Sequence, residues 1–415
     1  MAADTSHPVF TQQGPGTAQG PTLPASGAIR PPSELDRGRV ENGQVLFDNW
    51  KGMADKPDPA LPAPLPPAQR VGFAIVGLGR LALGEILPAF NECKLARPVA
   101  LVSGSPEKAR TVAAQYGIEA VYGYDEMNRL AENAQVQAVY LVTPNGLHAE
   151  QLRAAAKAGK HVLSEKPMAN NAEQARQMIA DCEQAAVKLM VAYRCQYEVF
   201  NREAARLVQS GELGRARVIE ASNTQVQGPA GQWRLNAALA GGGALPDIGL
   251  YCLNGVRAML GEDPIELYAQ VVNPQGDPRY TQVEETISFM LRFPSGAIAN
   301  CSTSYGAHES KDLRIHLELG KLDLENAFAY RGQRLRIAHR HGSAEAVDEL
   351  RLGAKNQFAL EIDHFADCIL NGKSPRTPGE EGLQDHLLME AIYCSARENR
   401  PVAIDWASEH SPVRQ

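Results

Sequence analysis

The first regular pattern of apolar positions starts at Gly72 and ends in a glycine turn. Residues 72–76 (Gly-Phe-Ala-Ile-Val) form a short apolar run without alternation, which is typical of a parallel strand covered on both faces. Gly77 and Gly79 follow this run, and Ala82 occupies the third small position of a G-x-G-x-x-A pattern. The sequence therefore predicts a buried strand, a tight turn and a helix in succession.

The alternation of apolar runs and helical segments continues to residue 192. Further strands are predicted at 98–102, 120–122, 138–142, 161–165 and 188–192. Helices are predicted between them at 107–116, 125–132, 149–158 and 172–186. Such β–α alternation is typical of a doubly wound parallel sheet, so we expect a Rossmann domain over residues 71–193.

The second half of the chain has a different pattern. After helical residues 200–210 and a strand at 214–224, a helix is predicted from Asp247 through Leu260. Strands then dominate, at 265–272, 283–293, 297–305, 312–319, 334–340 and 346–352. The final helices, 357–370 and 382–396, are expected to return to the first domain. We expect one domain over 194–415, whose many strands leave a wide face that favours self-association.

Residues 1–70 contain 12 of the chain's 27 prolines, a composition that cannot form a core of its own. Two interpretations remain open. The segment is either a disordered tail or an arm that lies over a neighbouring subunit, and the arm is favoured for residues 60–70 only.

Composition excludes several classes of function. The net charge of −7 argues against a nucleic-acid footprint, and no apolar run is long enough to span a membrane. The seven cysteines form no C-x-x-C pair, so they are expected to be reduced thiols. With no export leader recognised, the expected compartment is the cytoplasm, or the periplasm if a leader is missing from this sequence.

The glycine turn and the second strand end predict the nucleotide. Gly77 permits the tight turn, Gly79 lets the backbone approach a pyrophosphate, and the following helix offers its N-terminus to the phosphates. The alternative is an ordinary strand-to-helix turn without a ligand. The second strand ends in Ser103 instead of the acid that normally binds the ribose of NAD. Ser103, Lys108 and Arg80 would accept a 2′-phosphate, so NADP is predicted, although Lys108 alone is as well explained as a solvated helix residue.

Several motifs together resemble a known family. They are the G-x-G-x-x-A turn, Thr143-Pro-Asn-x-x-His148, Glu165-Lys-Pro167 and Asp247-Ile-Gly-Leu-Tyr251. This combination is similar to the glucose–fructose oxidoreductase/inositol dehydrogenase (Gfo/Idh/MocA) superfamily. Within it, stretches such as Tyr193-Arg-Cys195, Gln232-Trp-Arg234 and Gly241-Gly-Gly243 resemble the glucose–fructose oxidoreductase subgroup. The resemblance covers about residues 66–406.

The resemblance implies a fold, a cofactor and an assembly. The expected fold is α/β plus α+β, with an N-terminal Rossmann domain and a C-terminal domain built on a large open, mainly antiparallel sheet. NADP would stay bound through the cycle, and a homo-oligomer, dimer or tetramer, would form through the open sheet. The expected cofactor-binding residues are Gly77, Leu78, Gly79, Arg80, Leu81, Ser103, Lys108, Thr143, Pro144, Asn145, His148, Glu165, Lys166 and Arg194.

The candidate catalytic residues are Lys166, Asp247 and Tyr251. Oxidation of a sugar at C1 moves a hydride to nicotinamide while a base removes the hydroxyl proton. Tyr251 is the candidate acid/base, Lys166 is expected to lower its pKa and orient the sugar hydroxyl, and Asp247 is expected to hold substrate or lysine. The residues expected to bind substrate are Lys166, Arg194, Trp233, Arg234, Asp247 and Tyr251.

Each of these residues has a simpler explanation. Asp247 alone is well explained as a helix N-cap, Tyr251 as a half-buried core tyrosine, and Lys166 as a surface lysine before proline. His339 and His341 could share one face of a strand, but no third ligand is evident, so no metal is predicted.

The predicted activity is NADP-dependent oxidation of an aldose such as glucose to the lactone, followed by transfer of the hydride to a second sugar. Two alternatives remain, namely an ordinary NADP-dependent dehydrogenase or reductase with exchangeable cofactor, and a non-catalytic NADP-binding sensor.

Overall fold

The computed structural model describes residues 39–41, 44–46, 64–353 and 355–406. The chain divides into two units, residues 1–61 and 62–415. In the first unit, the described strands β1 (Arg39–Glu41) and β2 (Gln44–Leu46) form an antiparallel pair. The predicted arm mostly lies outside the described residues. Within residues 64–70, the Leu65 amide donates to the Lys94 carbonyl at 2.9 Å, so this part of the predicted arm contacts the Rossmann domain of the same chain.

A six-stranded parallel sheet forms the first half of the second unit. Its order is β5-β4-β3-β6-β7-β8, and every pair described is parallel. The strands are β3 (Val71–Val76), β4 (Ala96–Val102), β5 (Ala120–Tyr122), β6 (Ala138–Leu141), β7 (His161–Glu165) and β8 (Leu189–Ala192). The strand order reverses between β3 and β6, where ligands bind in such sheets.

Helices cover both faces of this sheet. They include a π-helical turn at Ala82–Ile86, α1 (Leu87–Ala89), α2 (Pro106–Tyr116), α3 (His148–Lys157) and α4 (Ala172–Gln184). The segment predicted as a helix near residues 125–132 is a 3-10 helix, Tyr124–Glu132. All six residues of β3 are buried, as the uninterrupted apolar run predicted.

The second half contains a nine-stranded sheet of order β16-β15-β14-β13-β9-β12-β11-β10-β17. The pairs described are antiparallel except β9 with β12, which is parallel. The strands are β9 (Ala216–Thr224), β10 (Glu266–Val272), β11 (Thr286–Arg292), β12 (Ile298–Ser304), β13 (Ser310–Leu317), β14 (Gly320–Glu325), β15 (Arg334–His341), β16 (Ala344–Leu350) and β17 (Val402–Ala403).

One face of this sheet is packed and the other is open. Helices α5 (Val199–Ser210), α7 (Leu250–Leu260) and α9 (Gly379–Glu398) pack on one face, and α6 (Ala237–Ala240) lies in the connection before α7. Helix α8 (Gln357–Leu370) packs against β3 and β4, so the chain returns to the parallel sheet. The predicted fold class is confirmed.

The strand predictions omitted β14. Leu322 and Leu324 are buried and alternate with more exposed residues, but only Glu318 and Leu319 separate β14 from β13. The two strands therefore form a tight hairpin, and the strand predicted at 312–319 corresponds to its first strand only. No helix among the described residues is long and apolar enough to cross a bilayer, and the compartment stays a prediction.

Candidate active site

The glycine turn after β3 has the geometry that a dinucleotide requires. Gly77 has φ of 95°, and a Cβ there would lie 2.7 Å from Thr143 Cγ2, so only glycine fits. A Cβ on Gly79 would meet no atom within 4 Å, which leaves open space beside the turn. The backbone is thus exposed toward the switch point between β3 and β6, where a pyrophosphate would fit.

The end of β4 lacks the acid that NAD requires. Ser103 is buried there, and its hydroxyl accepts a hydrogen bond from the Ser105 amide at 3.2 Å. Arg80 and Lys108 are both exposed. Ser103 thus offers a hydroxyl, Lys108 follows it in the next helix, and Arg80 lies in the glycine turn after the neighbouring strand β3, a donor set that fits the 2′-phosphate of NADP.

The loop after β6 is held by its own side chains. Thr143 Oγ1 donates to Gln151 Oε1 at 2.5 Å, and Asn145 Nδ2 donates to the Ala240 carbonyl at 2.8 Å. His148 is fully buried, with Nε2 2.9 Å from the Thr143 carbonyl and Nδ1 3.2 Å from the Pro167 carbonyl. These three side chains therefore shape the loops beside the turn, while Leu78 is buried and Leu81 and Pro144 are half-buried.

Lys166 follows β7 directly and lies between Asp247 and Tyr251. Its Nζ donates to the Asp247 carbonyl oxygen, lies 3.7 Å from Asp247 Oδ1 and stands 4.4 Å from the centre of the Tyr251 ring. Its side chain is only 8% exposed, so burial lowers its pKa, and Asp247 and then Glu165 oppose that effect. The three predicted catalytic residues therefore come together between the two sheets, and Lys166 is not a surface lysine.

Asp247 is the centre of an ionic cluster and not a helix cap. It lies inside a π-helical turn, Leu245–Gly249, which precedes α7. Its Oδ2 accepts from Arg234 Nε at 2.9 Å and from the Tyr305 hydroxyl at 2.7 Å. Burial raises the pKa of Asp247, but Arg234 and Lys166 outweigh burial, and the net pKa is below the usual value. Asp247 therefore holds two cations in place as a carboxylate.

The expected lowering of the Tyr251 pKa by Lys166 is wrong. Burial raises the pKa of the Tyr251 phenol above its usual range, and the cation that most opposes burial is Arg194. The reason is geometric, because Lys166 Nζ lies over the face of the ring and not beside the hydroxyl. Without ligands, Tyr251 is a protonated phenol.

Arg194 packs against the ring of Tyr251. Its guanidinium carbon lies 4.7 Å from the Tyr251 ring centre and 4.5 Å from that of Tyr330. It is 4% exposed and donates to Gln357 Oε1 and to the Phe328 carbonyl, both at 2.6 Å. Because these contacts occupy it within the protein, its geometry fits positioning of Tyr251 better than direct binding of a ligand.

Trp233 and Arg234 lie in the connection before α6 and border the Asp247 cluster on one side. The Arg234 guanidinium carbon stands 4.5 Å over the Trp233 ring, and both residues are half-buried. This stacking aims the guanidinium at Asp247 and leaves an aromatic surface beside it, an arrangement that suits a sugar ring.

Several residues around this cluster could not be predicted from the sequence. Tyr305 follows β12, and Tyr330 and Gln357 lie farther along the chain, so no local spacing connects them to Asp247 or Arg194. Tyr140 is another such residue, since its buried hydroxyl lies 2.8 Å from Glu165 Oε1 and 3.3 Å from Glu361 Oε1. Its position in the buried strand β6 gave the only signal, a polar hydroxyl in an apolar run.

Lys166 and Tyr251 also border a cleft of about 640 Å³ between the sheets and helices α5 and α7. Within residues 64–353 and 355–406, no cluster of three potential metal ligands occurs. The site thus combines a nucleotide turn, a buried lysine, a phenol and a carboxylate. This combination defines an oxidoreductase that uses a bound dinucleotide.

The chain belongs to the Gfo/Idh/MocA oxidoreductase family, as its motifs predicted. The model described as an oxidoreductase family with an NAD-binding Rossmann fold matches residues 71–193. The model of the GFO/IDH/MocA C-terminal domain matches residues 201–323.

Relatives of this family include sugar dehydrogenases and reductases. A D-xylose 1-dehydrogenase (NADP(+)) of Haloarcula marismortui is 32% identical over 343 residues, which cover 81% of this chain and 93% of the relative. A dTDP-3,4-didehydro-2,6-dideoxy-alpha-D-glucose 3-reductase of Actinomadura kijaniata is 30% identical and covers 80% of this chain and 97% of its own.

A solved structure is more similar in sequence than either of these. The aldose-aldose oxidoreductase from Caulobacter crescentus, complexed with glycerol, is 43% identical. The match covers 81% of this chain and 100% of that chain, with a TM-score of 0.78.

Proposed function

We propose that the protein is an NADP-dependent aldose oxidoreductase that transfers a hydride between two sugars. It oxidises C1 of an aldose to the lactone, keeps the cofactor bound, and reduces a second sugar, an aldose or a ketose, in ping-pong order. Similarity to a xylose dehydrogenase that uses NADP and to an aldose-aldose oxidoreductase supports both the cofactor and the substrate class.

The observation that supports this proposal best is the convergence of Lys166, Asp247 and Tyr251. Lys166 follows the end of strand β7 in the nucleotide domain. Asp247 lies in the turn before helix α7, and Tyr251 lies in the first turn of α7, which packs on the second sheet. A substrate at this junction would contact both domains. A sensor that only binds nucleotide has no need for a buried lysine between a carboxylate and a phenol.

NADP, when bound, accepts a hydride from the first sugar and returns it to the second. The backbone of 77–81 would hold its pyrophosphate, and Ser103, Arg80 and Lys108 would hold its 2′-phosphate. Thr143, Pro144, Asn145 and His148 would shape the loop beside it, and Glu165 and Arg194 would support the region next to Lys166. Their roles in cofactor binding are proposals.

The chain's own residues would manage the proton. Tyr251 Oη takes the proton of the C1 hydroxyl during oxidation and returns it to the new hydroxyl during reduction. Lys166 Nζ donates a hydrogen bond that orients the sugar oxygen. Asp247 keeps Lys166 and Arg234 in position. Trp233 and Arg234, which stack on each other, would contact one side of the bound sugar.

The alternatives differ in what happens to the cofactor. An ordinary dehydrogenase exchanges NADP with solution, whereas the proposed enzyme completes its cycle without exchange. Purified protein should therefore be dialysed without cofactor and mixed first with an aldose such as glucose. Reduced nicotinamide absorbance should appear in a stoichiometric amount and disappear on addition of fructose or a second aldose.

Three outcomes distinguish the two-sugar enzyme, the ordinary dehydrogenase and the sensor. Reduction and reoxidation without added NADP support the two-sugar cycle. Sugar oxidation only when NADP is added supports the exchangeable dehydrogenase, and no sugar-dependent change with bound or added NADP supports the sensor.

We also propose self-association through the open face of the nine-stranded sheet. Val218 and Ile298 are exposed register partners on β9 and β12, and exposed Met290 lies on β11 opposite Asn300. These apolar side chains share one solvent-facing surface, which a second copy would cover. Sedimentation velocity should show a dimer or tetramer that Ile298→Lys weakens, and a monomeric wild type would contradict this.

A further inference from the structure

The 640 Å³ cleft that borders Lys166 and Tyr251 is also lined by arginines from other elements. Arg202 and Arg206 lie on helix α5, and Arg376 lies in the loop between α8 and α9. All three are exposed. None of the three arginines is a predicted catalytic residue or a member of the Asp247 cluster, so the predicted catalysis does not account for them.

Acidic partners distinguish Arg206 from the other two arginines. Arg206 is paired with Glu203 at 2.8 Å and with Glu212 at 3.0 Å. Arg202 and Arg376 have no carboxylate partner among residues 64–353 and 355–406. The acid in the cleft lining is Glu381, which accepts from Asn254 at 2.8 Å and lies 3.4 Å from the Arg257 guanidinium. The lining therefore contains two uncompensated guanidinium groups.

The position of Arg376 is fixed by its surroundings. Its backbone amide donates to His364 Nε2 at 3.0 Å, and its guanidinium carbon lies 5.8 Å from the Tyr197 ring centre. The next residue, Thr377, is fully buried and donates to the Val191 carbonyl at 2.7 Å. A guanidinium on so firmly attached a loop loses little conformational freedom when it binds an anion.

The charges around the two arginines agree with this geometry. Burial, and then the Arg376 charge, lower the pKa of Arg202. Burial lowers the pKa of His364 to about 4, and Arg376 is the charged neighbour that contributes most in the same direction. The local field is thus positive, and an oxyanion would relieve the repulsion between the arginines.

We propose that Arg202 and Arg376 form a binding site for a small polar molecule carrying a phosphate or carboxylate group. Guanidinium groups bind both oxyanions through paired N–H donors. Gln196 lines the same cleft, and because its Nε2 donates to Asn254 Oδ1 and Glu381 Oε1, its amide oxygen is the atom that would accept from a ligand hydroxyl. The site is independent of the proposed sugar chemistry, although its cleft reaches Lys166 and Tyr251.

The test measures binding without turnover. Full-length protein with its bound cofactor is titrated calorimetrically, at constant ionic strength, with inorganic phosphate, methyl glucoside 6-phosphate (whose blocked C1 cannot be oxidised) and gluconate. Arg202→Gln and Arg376→Gln should weaken binding by about 10- to 100-fold, since each removes a charged hydrogen-bond donor. Arg206→Gln is the matched control, because it removes the same charge from the same helix where carboxylates already neutralise it.

The three probes identify which group is recognised. Equal affinity for phosphate and methyl glucoside 6-phosphate means that the anion alone is bound, and tighter binding of the sugar ester means that Gln196 contributes. Binding of gluconate alone identifies a carboxylate. Thermal unfolding of each variant shows whether it is folded. Absence of binding by the wild type for all three probes, or an equal loss in Arg206→Gln, would overturn the proposal.

Discussion

Two buried ionic clusters lie at opposite ends of helix α7, and they differ in their access to solvent. At its C-terminal end, the fully buried Arg257 donates to Asp263 at 2.7 Å, to Gln384 at 2.5 Å and to Asp385. Before its N-terminus, Asp247 is 17% exposed at its side chain and holds Arg234, which is 36% exposed.

The difference separates a sealed cluster from one that a ligand could reach. Arg257 connects α7 to α9 and to the loop after α7, and water has no access to it. The Asp247 cluster faces the junction of the two sheets, and its second cation, Lys166, lies over a phenol that has access to the cleft. An ionic group near solvent can exchange a protein partner for a ligand, whereas a sealed one cannot.

The largest expected effect is loss of turnover in Tyr251→Phe. Removing the proposed acid/base should cost about 10²- to 10⁴-fold in the rate of cofactor reduction by an aldose. The measurement is single-turnover absorbance with the cofactor already bound. Tyr330→Phe is the control, since its ring also stacks on Arg194. Unchanged turnover in Tyr251→Phe would remove this residue from the mechanism.

In the sealed cluster around Arg257, the Arg257→Met change should lower the free energy of unfolding without directly altering the catalytic steps. It leaves the Asp263 and Asp385 carboxylates buried without their cation, a change that costs about 3–5 kcal/mol in related cases. Denaturant unfolding would measure the loss, with Arg234→Met as the comparison at the open cluster. If Arg234→Met destabilised the protein equally, the distinction between the two clusters would fail.

The pH dependence should differ between the two half-reactions. Because burial raises the pKa of Tyr251, the phenol stays protonated well above neutrality. Oxidation needs the deprotonated form, so its rate should rise about tenfold per pH unit below that pKa. Reduction uses the proton that is already present and should change little.

Stopped-flow measurement of each half-reaction gives both slopes. An aldose oxidation rate that does not depend on pH would contradict the role of Tyr251. A slope retained in Tyr251→Phe would instead identify Lys166, whose pKa burial lowers, as the proton acceptor.

The smallest expected effect is that of Tyr305→Phe. The Tyr305 hydroxyl donates to Asp247 Oδ2, and loss of a hydrogen bond to a charged group costs about 1.5–3 kcal/mol. Because Arg234 still holds the same oxygen, we expect a higher KM for the sugar with a smaller change in kcat. Tyr280→Phe is the control, since its hydroxyl makes only a 3.4 Å contact to the Tyr305 carbonyl. Equal effects of both changes would show that the hydroxyl does not act through Asp247.

Local signals explain why the Rossmann domain was predictable. The Gly77 turn, the buried strand β3 and the Ser103 strand end each depend on residues adjacent in the chain, and each has the predicted place in the sheet. The strand β14 was missed because its hairpin is too short to interrupt the pattern of β13.

The catalytic candidates were predictable only in part. Motifs identified Lys166, Asp247 and Tyr251, and the structure brings them together. Their electrostatics depend on residues from distant elements, such as Tyr305 after β12 and Arg194 after β8. The sequence therefore predicted residues that lie together but the wrong pKa direction for Tyr251, since burial and the position of Lys166 over the ring arise from packing.

A crystal structure with NADP and an aldose would test the proposed catalysis. The C1 hydroxyl should lie within hydrogen-bond distance of Tyr251 Oη and Lys166 Nζ, with C1 facing the nicotinamide ring and Asp247 still paired with Arg234. A sugar bound elsewhere, with Tyr251 and Lys166 out of reach of its C1 hydroxyl, would contradict it.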